Sequence, residues 1–243
     1  MYEAEDTHWW YRGLRGVMST LLGLGKSSRK DIPILDAGCG TGGTLHSLVK
    51  RGFSNLEGFD LSPIAIEFCH KRGLERVRLG SITRIPFEDR SFDLVISCDV
   101  VSDAGTDNEI QALSELLRVL KPGGRLFLNL PAYEFLRSEH DRAVATTRRV
   151  TRGEMERKLR QVGFRIKRAT YWNALLLPVV VAVRLLKREK AEDLEKVPRS
   201  DIEVPWGPIN VFLSACVGLE HLLLKVINLP AGSSVAIVAV RPR

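Results

Sequence analysis

The stretch Ile32-Pro33-Ile34-Leu35-Asp36-Ala37-Gly38-Cys39-Gly40-Thr41-Gly42-Gly43 decides the fold. An apolar run ends at an acid, a glycine-rich turn follows, and a helical segment begins at residue 44. Glycines let the backbone pass close to a ligand because no Cβ stands in the way. The stretch therefore predicts a strand, a ligand-binding turn and a helix. On its own it is ambiguous, because Gly38, Gly40 and Gly43 also satisfy the weaker Gly-x-Gly-x-x-Gly pattern.

Short apolar runs alternate with helical stretches along the rest of the chain. This alternation predicts an α/β protein with a mostly parallel sheet that is covered on both faces. The predicted strands are 32–35, 56–59, 77–79, 92–97, 125–130, 164–171 and 234–240, and the predicted helices are 44–50, 63–71, 108–120 and 151–162. We expect a single domain over residues 1–243.

An insertion, 173–232, separates the last two predicted strands, where a simple hairpin needs only a few residues. It contains an apolar run, 174–183, that is well short of the roughly 20 residues needed to span a bilayer. A charged linker, 187–208, and an apolar helix, 211–229, follow. The helix carries a narrow polar stripe made of Ser214, Gly218, His221, Lys225 and Asn228. Such an insertion fits a cover over a substrate pocket, a dimer contact, a membrane-interface segment or extra packed helices.

Positive charge is concentrated in one part of the chain. Residues 137–168 hold eleven Lys and Arg against four Asp and Glu, and this difference equals the net charge of the whole chain, +7. One explanation of the excess is that these residues form the solvated faces of a helix and a strand. The alternatives are that they bind an anionic substrate, an anionic membrane surface or nucleic acid.

The cysteines and histidines do not form a metal-binding pattern. Cysteines at 39, 69, 98 and 216 include no Cys-x-x-Cys pair, and the five histidines show no ligand spacing, so we expect neither a zinc site nor another metal site. The N-terminal segment carries acids and three aromatics where a secretion signal needs a basic start and an apolar run. We therefore expect a cytoplasmic protein.

Asp36, Gly38, Gly40 and Gly42 resemble the signature of the class I S-adenosylmethionine (SAM)-dependent methyltransferases of type 11/12, in which an acid precedes Gly-x-Gly-x-Gly. The resemblance continues through 58–62, 80–87, 92–97 and 120–127. It implies a Rossmann-like, seven-stranded sheet with an antiparallel last strand and a helical insertion before that strand. It also implies that the SAM-binding core spans 31–130.

The same resemblance implies that SAM is the cofactor and S-adenosylhomocysteine the product. The glycine turn would pass under the methionine part of SAM, Asp60 would accept both ribose hydroxyl protons, and Leu61 would lie against the adenine. Where many relatives have Gly-Asp, this chain has Gly80-Ser81, whose hydroxyl binds more weakly than a carboxylate. The predicted cofactor-binding residues are Asp36, Ala37, Gly38, Gly40, Gly42, Asp60, Leu61, Ser81, Ile82 and Cys98.

The segments 8–12, 130–131, 140–141 and 148–149 resemble a subgroup of bacterial methyltransferases linked with modification of cell-envelope lipids or glycans. In that subgroup the N-terminal segment covers the cofactor. The resemblance implies that residues 1–30 form a helical lid and that Trp9 and Trp10 contact the acceptor. The alternative is that both tryptophans bury an amphipathic first helix on the sheet.

The acceptor side departs from the relatives in its proton-handling residues. Their Asp-Val-x-Glu-His after the fourth strand is replaced by Asp-Val-Val-Ser-Asp at 99–103, and a His and a Tyr are missing after the fifth. We predict His140 as the base with Asp141 as its partner. The predicted acceptor-binding residues are Asp103, Arg148 and Arg149, besides the two tryptophans. An exposed loop histidine, a helix-capping aspartate and a solvated basic turn are the alternatives.

The predicted function is transfer of a methyl group from SAM to a small-molecule or lipid- or glycan-linked acceptor, by O- or N-methylation. One alternative is a SAM-binding pseudo-enzyme or non-methylating enzyme, which the missing His and Tyr suggest. The other is a nucleic-acid methyltransferase, which rests only on the charge of 137–168. The predicted partner of 173–232 is either an inner membrane surface, contacted peripherally, or a second copy of the chain.

Overall fold

A computed structural model of the chain describes residues 2–105, 108–138, 141, 146–188 and 205–243. Within these residues, a seven-stranded sheet has the order β3-β2-β1-β4-β5-β7-β6. The strands are β1 Ile34–Ala37, β2 Leu56–Asp60, β3 Val77–Leu79, β4 Phe92–Cys98, β5 Leu120–Pro131, β6 Arg165–Trp172 and β7 Ser234–Val240. Strands β1 to β5 pair in parallel, whereas β7 runs antiparallel between β5 and β6. The predicted sheet architecture is confirmed.

Eight helices of the described residues accompany the sheet. They are α1 Ala4–Thr7, α2 Trp9–Leu22, α3 Gly43–Lys50, α4 Pro63–Lys71, α5 Glu109–Val119, α6 Arg152–Gln161, α7 Leu177–Arg188 and α8 Gly207–Leu223. Side-chain caps fix two of the starts: Ser62 Oγ accepts from the Ala65 amide and Thr151 Oγ1 accepts from the Glu154 amide. These caps stand where the sequence predicts helix N-termini.

Apolar side chains bury both faces of the sheet. On one face, α5 and α6 pack against β4, β5 and β7 through residues such as Leu113, Leu116 and Met155. On the other face, side chains of α2, α3 and α8 belong to a second cluster, which includes the fully buried Trp172. The indole Nε1 of Trp172 donates to Asn129 Oδ1 at 2.7 Å, which links β6 to β5. Cys39 of the glycine turn belongs to the same cluster. Helices α2 and α8 therefore lie on the same side of the sheet as this residue.

The connection from β6 to β7 contains α7 and α8, and its middle, 189–204, lies outside the described residues. Helix α8 ends at Leu223, earlier than the predicted 229, so Lys225 and Asn228 lie beyond it. This corrects the predicted polar stripe, because only its first three members belong to the helix. No helix among the described residues is long and apolar enough to cross a membrane.

Candidate active site

The carboxyl ends of β1, β2 and β4 meet where the strand order reverses, which is where open α/β sheets bind ligands. The glycine turn follows β1, and the amides of Gly38 and Cys39 both donate to the Phe59 carbonyl at 2.9 Å. Gly38 has φ +83°, and a Cβ there would lie 2.3 Å from Val100 Cγ2. The turn therefore has this path only because residue 38 is glycine.

Asp60 lies at the end of β2 and holds the glycine turn in place. Its Oδ2 accepts from the Gly40 amide at 2.8 Å, and its Oδ1 accepts from the Ser62 amide at 2.9 Å. Each carboxylate oxygen has a second lone pair, so both oxygens can also accept from the hydroxyls of a bound ribose. The structure thus gives this carboxylate a backbone-organising role besides the one expected from the sequence.

Asp36, at the end of β1, is buried beneath the same turn. Burial raises the pKa of this carboxyl well above its ordinary value, and Cys69, Glu5 and Asp60 raise it further. A neighbouring cation reverses such an effect by stabilising the ionised form. The carboxylates of Asp36 and Asp60 accept hydrogen bonds. They therefore fit a ligand that carries an amino group over Asp36 and a diol over Asp60, as SAM does.

One cavity of about 410 Å³ joins this turn to the N-terminal helices and the insertion. Its volume lies in the range of small-molecule sites. Its lining includes predicted residues from both sides of the site, namely Trp9, Trp10, Asp36, Gly38, Gly40, Asp60, Cys98, Asp141 and Arg149. The cofactor turn and the predicted acceptor-side residues consequently face the same space.

Helix α1 is fastened to the glycine turn by a buried ion pair. Glu5 Oε2 accepts from Thr41 Oγ1 at 2.6 Å and from Arg72 Nη2 at 3.1 Å, and Arg72 also donates to the Tyr2 carbonyl at 2.7 Å. Burial raises the pKa of Glu5, while the hydroxyl of Thr41 and the charge of Arg72 oppose this shift. The first helix thus covers the turn, although its action as a lid stays a prediction.

Trp9 and Trp10 line the cavity and also pack into the fold, so their positions are compatible with both alternatives from the sequence, acceptor contact and burial of the first helix. Both line the cavity, and Trp10 also packs on Trp172 with ring centroids 5.8 Å apart. The Trp9 amide donates to Asn210 Oδ1 of α8 at 2.9 Å. The aromatic segment therefore packs into the fold and forms a wall of the cavity at once.

Arg148 lies in a network of ion pairs around buried Glu109. Its guanidinium pairs with Glu109 and Glu154, and Lys158 Nζ lies 2.5 Å from the same Glu109 carboxylate. Glu109 is fully buried, so these cations neutralise an acid that burial would otherwise penalise. Arg148 does not line the cavity described above, and its ion pairs join α5 to α6, so its role in acceptor binding stays a prediction.

Asp141 is bonded to Arg149 and Ser138. Its carboxylate accepts from Arg149 Nε at 3.0 Å and Nη2 at 3.2 Å, and from the Ser138 amide at 2.8 Å. Arg149 also donates to the Ala132 carbonyl. Asp141 and Arg149 therefore form a paired section of the cavity wall. His140 and the side chain of Asp103 lie outside the described residues, so their roles stay predictions.

Five predicted cofactor residues lie beyond the lining of this cavity. Leu61 is 74% exposed beside Asp60, whereas Ala37 and Ile82 are buried. Ser81 Oγ lies 2.9 Å from Thr83 Oγ1. Gly42 serves packing, because a Cβ there would lie 2.6 Å from Leu74 Cδ1 of the chain after α4. Contacts of these residues with a cofactor remain predictions.

Several lining residues were not predicted, among them Glu5, Tyr11, Asp99, Asn173, Val180 and Arg184. Asp99 follows β4 with φ +62° and accepts from Asn129 Nδ2 at 3.0 Å. Burial raises the pKa of Tyr11, and the charges of Glu5 and Asp99 raise it further, so its phenol stays a donor. The position of Asp99 in the 99–103 motif and of Tyr11 in the 8–12 motif were signals available in the sequence.

The strand order and the glycine turn are those of the class I methyltransferase fold. Residues 35–128 match the family model described as methyltransferase domain. A phthiotriol/phenolphthiotriol dimycocerosates methyltransferase of Mycobacterium leprae is 38% identical over 98 residues, which cover 38% of this chain and 35% of that protein. The matched segments span less than half the length of the curated relatives.

Two solved structures show the same fold over nearly the whole chain. The Haloferax volcanii protein crystallised with the Trm112 methyltransferase activator has a TM-score of 0.61 and 20% identity, covering 98% of this chain and 91% of its own. The [4+2]-cyclase SpnF has a TM-score of 0.57 and 20% identity, covering 93% and 81%. The chain therefore has the fold of these proteins, and its residues 35–128 match the methyltransferase domain model.

Proposed function

We propose that this chain transfers the methyl group of SAM to a small-molecule or lipid- or glycan-linked acceptor, at oxygen or nitrogen. The observation that carries the proposal is the shared cavity, in which Asp36, Gly38 and Asp60 face Trp9 and Trp10. A methyl donor over the glycine turn and an acceptor beside the tryptophans would then be neighbours, and such proximity is a large part of catalysis of a two-substrate reaction.

In this proposal, residues of the chain bind and orient SAM and shield the reacting groups from water. Bound SAM supplies an electrophilic methyl group on a sulfonium sulfur. Asp60 holds the ribose, Asp36 faces the amino end, and Gly38 leaves room for the ligand against the turn. Helices α1 and α2 act as the lid, and Trp9 and Trp10 exclude water from the reacting groups.

An amphiphilic acceptor suits the far part of the cavity. Its lining offers apolar groups from Trp10, Leu14 and Val180 together with the polar groups of Arg184 and of the Asp141–Arg149 pair. This mixture suits a molecule with an apolar body and a polar head. The name of the M. leprae relative, a methyltransferase of dimycocerosates, supports the same acceptor class. Asp99 adds a carboxylate that can take the proton released from the acceptor.

A second candidate is SAM binding without methyl transfer. The pairing of Asp141 with Arg149 favours it, because this carboxylate is already occupied as an acceptor of hydrogen bonds.

The nucleic-acid alternative loses support. Six of the eleven cations in 137–168 form ion pairs with neighbouring acids, namely Arg137, Arg148, Arg149, Arg152, Lys158 and Arg160.

The proposal is tested with SAM labelled in its methyl group. Purified protein is incubated with labelled SAM and a bacterial lipid extract or defined amines and alcohols, and S-adenosylhomocysteine and labelled product are measured together. We expect both to appear in equal amounts. Tight SAM binding with no S-adenosylhomocysteine from any acceptor would favour the second candidate, and label transferred to added RNA or DNA would favour the third.

A further inference from the structure

Helix α8 is packed with its polar side chains against the protein. Glu220 is fully buried, and its carboxylate accepts from the amides of Asn173 at 2.6 Å and Leu175 at 2.8 Å. His221 Nε2 lies 3.0 Å from the Gly13 carbonyl of α2. A surface helix normally turns its apolar stripe inward and its charged side chains outward. In α8 this arrangement is reversed, because Glu220 and His221 face the protein.

The outward side of α8 is correspondingly apolar. Phe212, Leu219 and Leu222 are 64%, 52% and 57% exposed, and Val226, in the turn after the helix, is 80% exposed. The spacings of seven and three put Phe212, Leu219 and Leu222 on one face of the helix, and Val226 follows in the turn after it. We call these four residues the outer face of α8. Exposed apolar clusters of this kind mark sites of contact with another surface.

The charges around this face indicate what that surface is. Helix α7 and residues 205–229 contain a single acid, Glu220, which is buried. Cations border the outer face: Lys225 precedes Val226, and Arg168 donates to the Ile227 carbonyl at 2.7 Å. Residues 189–204 hold six acids and three cations and lie outside the described residues, so the charge pattern concerns the two helices alone.

We propose that the outer face of α8 docks on an anionic phospholipid bilayer, lying in the interface without crossing it. Apolar side chains on one face with cations at the edge are the pattern of interfacial helices on anionic lipids. A second copy of the chain fits less well. An isologous contact would bring this face onto itself, so the bordering cations would meet cations with no exposed acid of either helix to pair with them.

The position of the insertion connects docking to the cavity. Helix α7 lines the cavity with Val180 and Arg184, while Val179 is 60% exposed on the adjoining side. Helix α8 reaches the cavity wall through Asn210, which accepts from the Trp9 amide. A protein docked in this way has the cavity next to the lipid surface, so an amphiphilic molecule can reach the cavity without passing through bulk water.

The test is cosedimentation with vesicles in the absence of SAM, so its outcome does not depend on methyl transfer. Wild-type protein is compared with Phe212→Glu/Leu219→Glu and with the control Val49→Glu, which changes an exposed valine of α3. Vesicles of phosphatidylcholine alone are compared with phosphatidylcholine plus phosphatidylglycerol. Circular dichroism and light scattering report folding and oligomeric state of each variant.

We expect wild-type protein and the Val49 variant to bind the anionic vesicles more tightly than the neutral ones. The double variant is expected to bind them about 100-fold more weakly, because burial of each large apolar side chain contributes about tenfold or more. Equal binding by the double variant, or no vesicle binding by the wild type, overturns the proposal. A wild-type dimer that the double variant converts to monomer also overturns it and assigns the face to a second copy of the chain.

Discussion

At the residue scale, Asp60 supports the glycine turn, and it is also the residue predicted to bind the cofactor ribose. Its two oxygens accept from the amides of Gly40 and Ser62, so the side chain fixes the turn on which a cofactor would lie. Removing the whole carboxyl would therefore disturb the turn as well as the cofactor contacts. Asparagine keeps the shape and one accepting oxygen, so it removes the charge and one of the two amide contacts but retains the other.

Asp60→Asn is expected to lower the affinity for SAM by about 10- to 100-fold, since hydrogen bonds to a charged group contribute about 1.5–3 kcal/mol. Isothermal titration calorimetry measures the change. The matched control is Glu57→Gln on the same strand, whose carboxylate pairs with Arg76 and Arg78 at the surface. The site assignment fails when the Asn variant binds SAM as tightly as the control does.

The residues assigned to the cofactor side could be chosen from the sequence because they are local in it, and their contacts with a cofactor stay predictions. Asp36, Gly38 and Asp60 each end a strand or follow one, and a pattern of strand and turn is visible in a short stretch. Glu5 and Asn173 were missed, because they reach the cavity from segments that are distant in sequence from the glycine turn. The ion pair of Arg148 with buried Glu109 was not predicted, because nothing in the sequence shows that these two residues meet.

At the scale of elements, α1 depends on its fastening. A helix of four residues is not stable by itself, so its position rests on contacts with the turn and with Arg72. The glycine turn lies directly beneath it, and a Cβ on Gly43 would lie 2.6 Å from Glu5 Oε2. Exchange of a cofactor under α1 consequently requires these contacts to open.

Glu5→Ala is expected to raise the dissociation rate of SAM about tenfold or more, because it removes the buried bonds to Thr41 and Arg72 and leaves the turn itself unchanged. Stopped-flow fluorescence of the nearby tryptophans measures the rate. Glu3→Ala, an exposed residue of the same segment, is the control. Dissociation rates that match in the two variants would show that α1 is not a lid.

The contact between α2 and α8 depends on a neutral histidine. Burial lowers the pKa of His221 below its ordinary value of 6.5, although its bond with the Gly13 carbonyl acts in the opposite direction. In the unfolded chain the pKa is the ordinary one. The stabilisation from His221 is therefore present above pH 6.5 and is lost as the pH falls through the lower, folded-state pKa.

Urea unfolding between pH 8 and pH 5 tests this dependence. Wild-type protein is expected to lose more stability below about pH 6.5 than His221→Gln, because glutamine does not titrate. His70→Gln, at an exposed position of α4, is the control and should keep the wild-type profile. Identical pH profiles for wild type and His221→Gln would exclude a titrating His221 as the cause.

At the scale of the whole molecule, the sheet and its helices were predictable and the orientation of α8 was not. Strand and helix patterns depend on neighbouring residues, so most boundaries agree within a few positions. Which side of α8 faces inward depends on what it meets, namely the Gly13 carbonyl and the amides that follow β6. Those partners come from both halves of the chain, and a periodic pattern within one helix does not contain them.

The shared cavity is the central feature of the whole molecule, because the N-terminal helices, the glycine turn and the insertion all contribute to its wall. The most direct measurement is a calorimetric titration of ligand-free, folded protein with SAM and with S-adenosylhomocysteine. We predict one site for which the two compete, with a dissociation constant of about 1 μM or tighter, equivalent to roughly 8 kcal/mol. Folded, ligand-free protein that binds neither compound would contradict the assignment of this cavity to SAM.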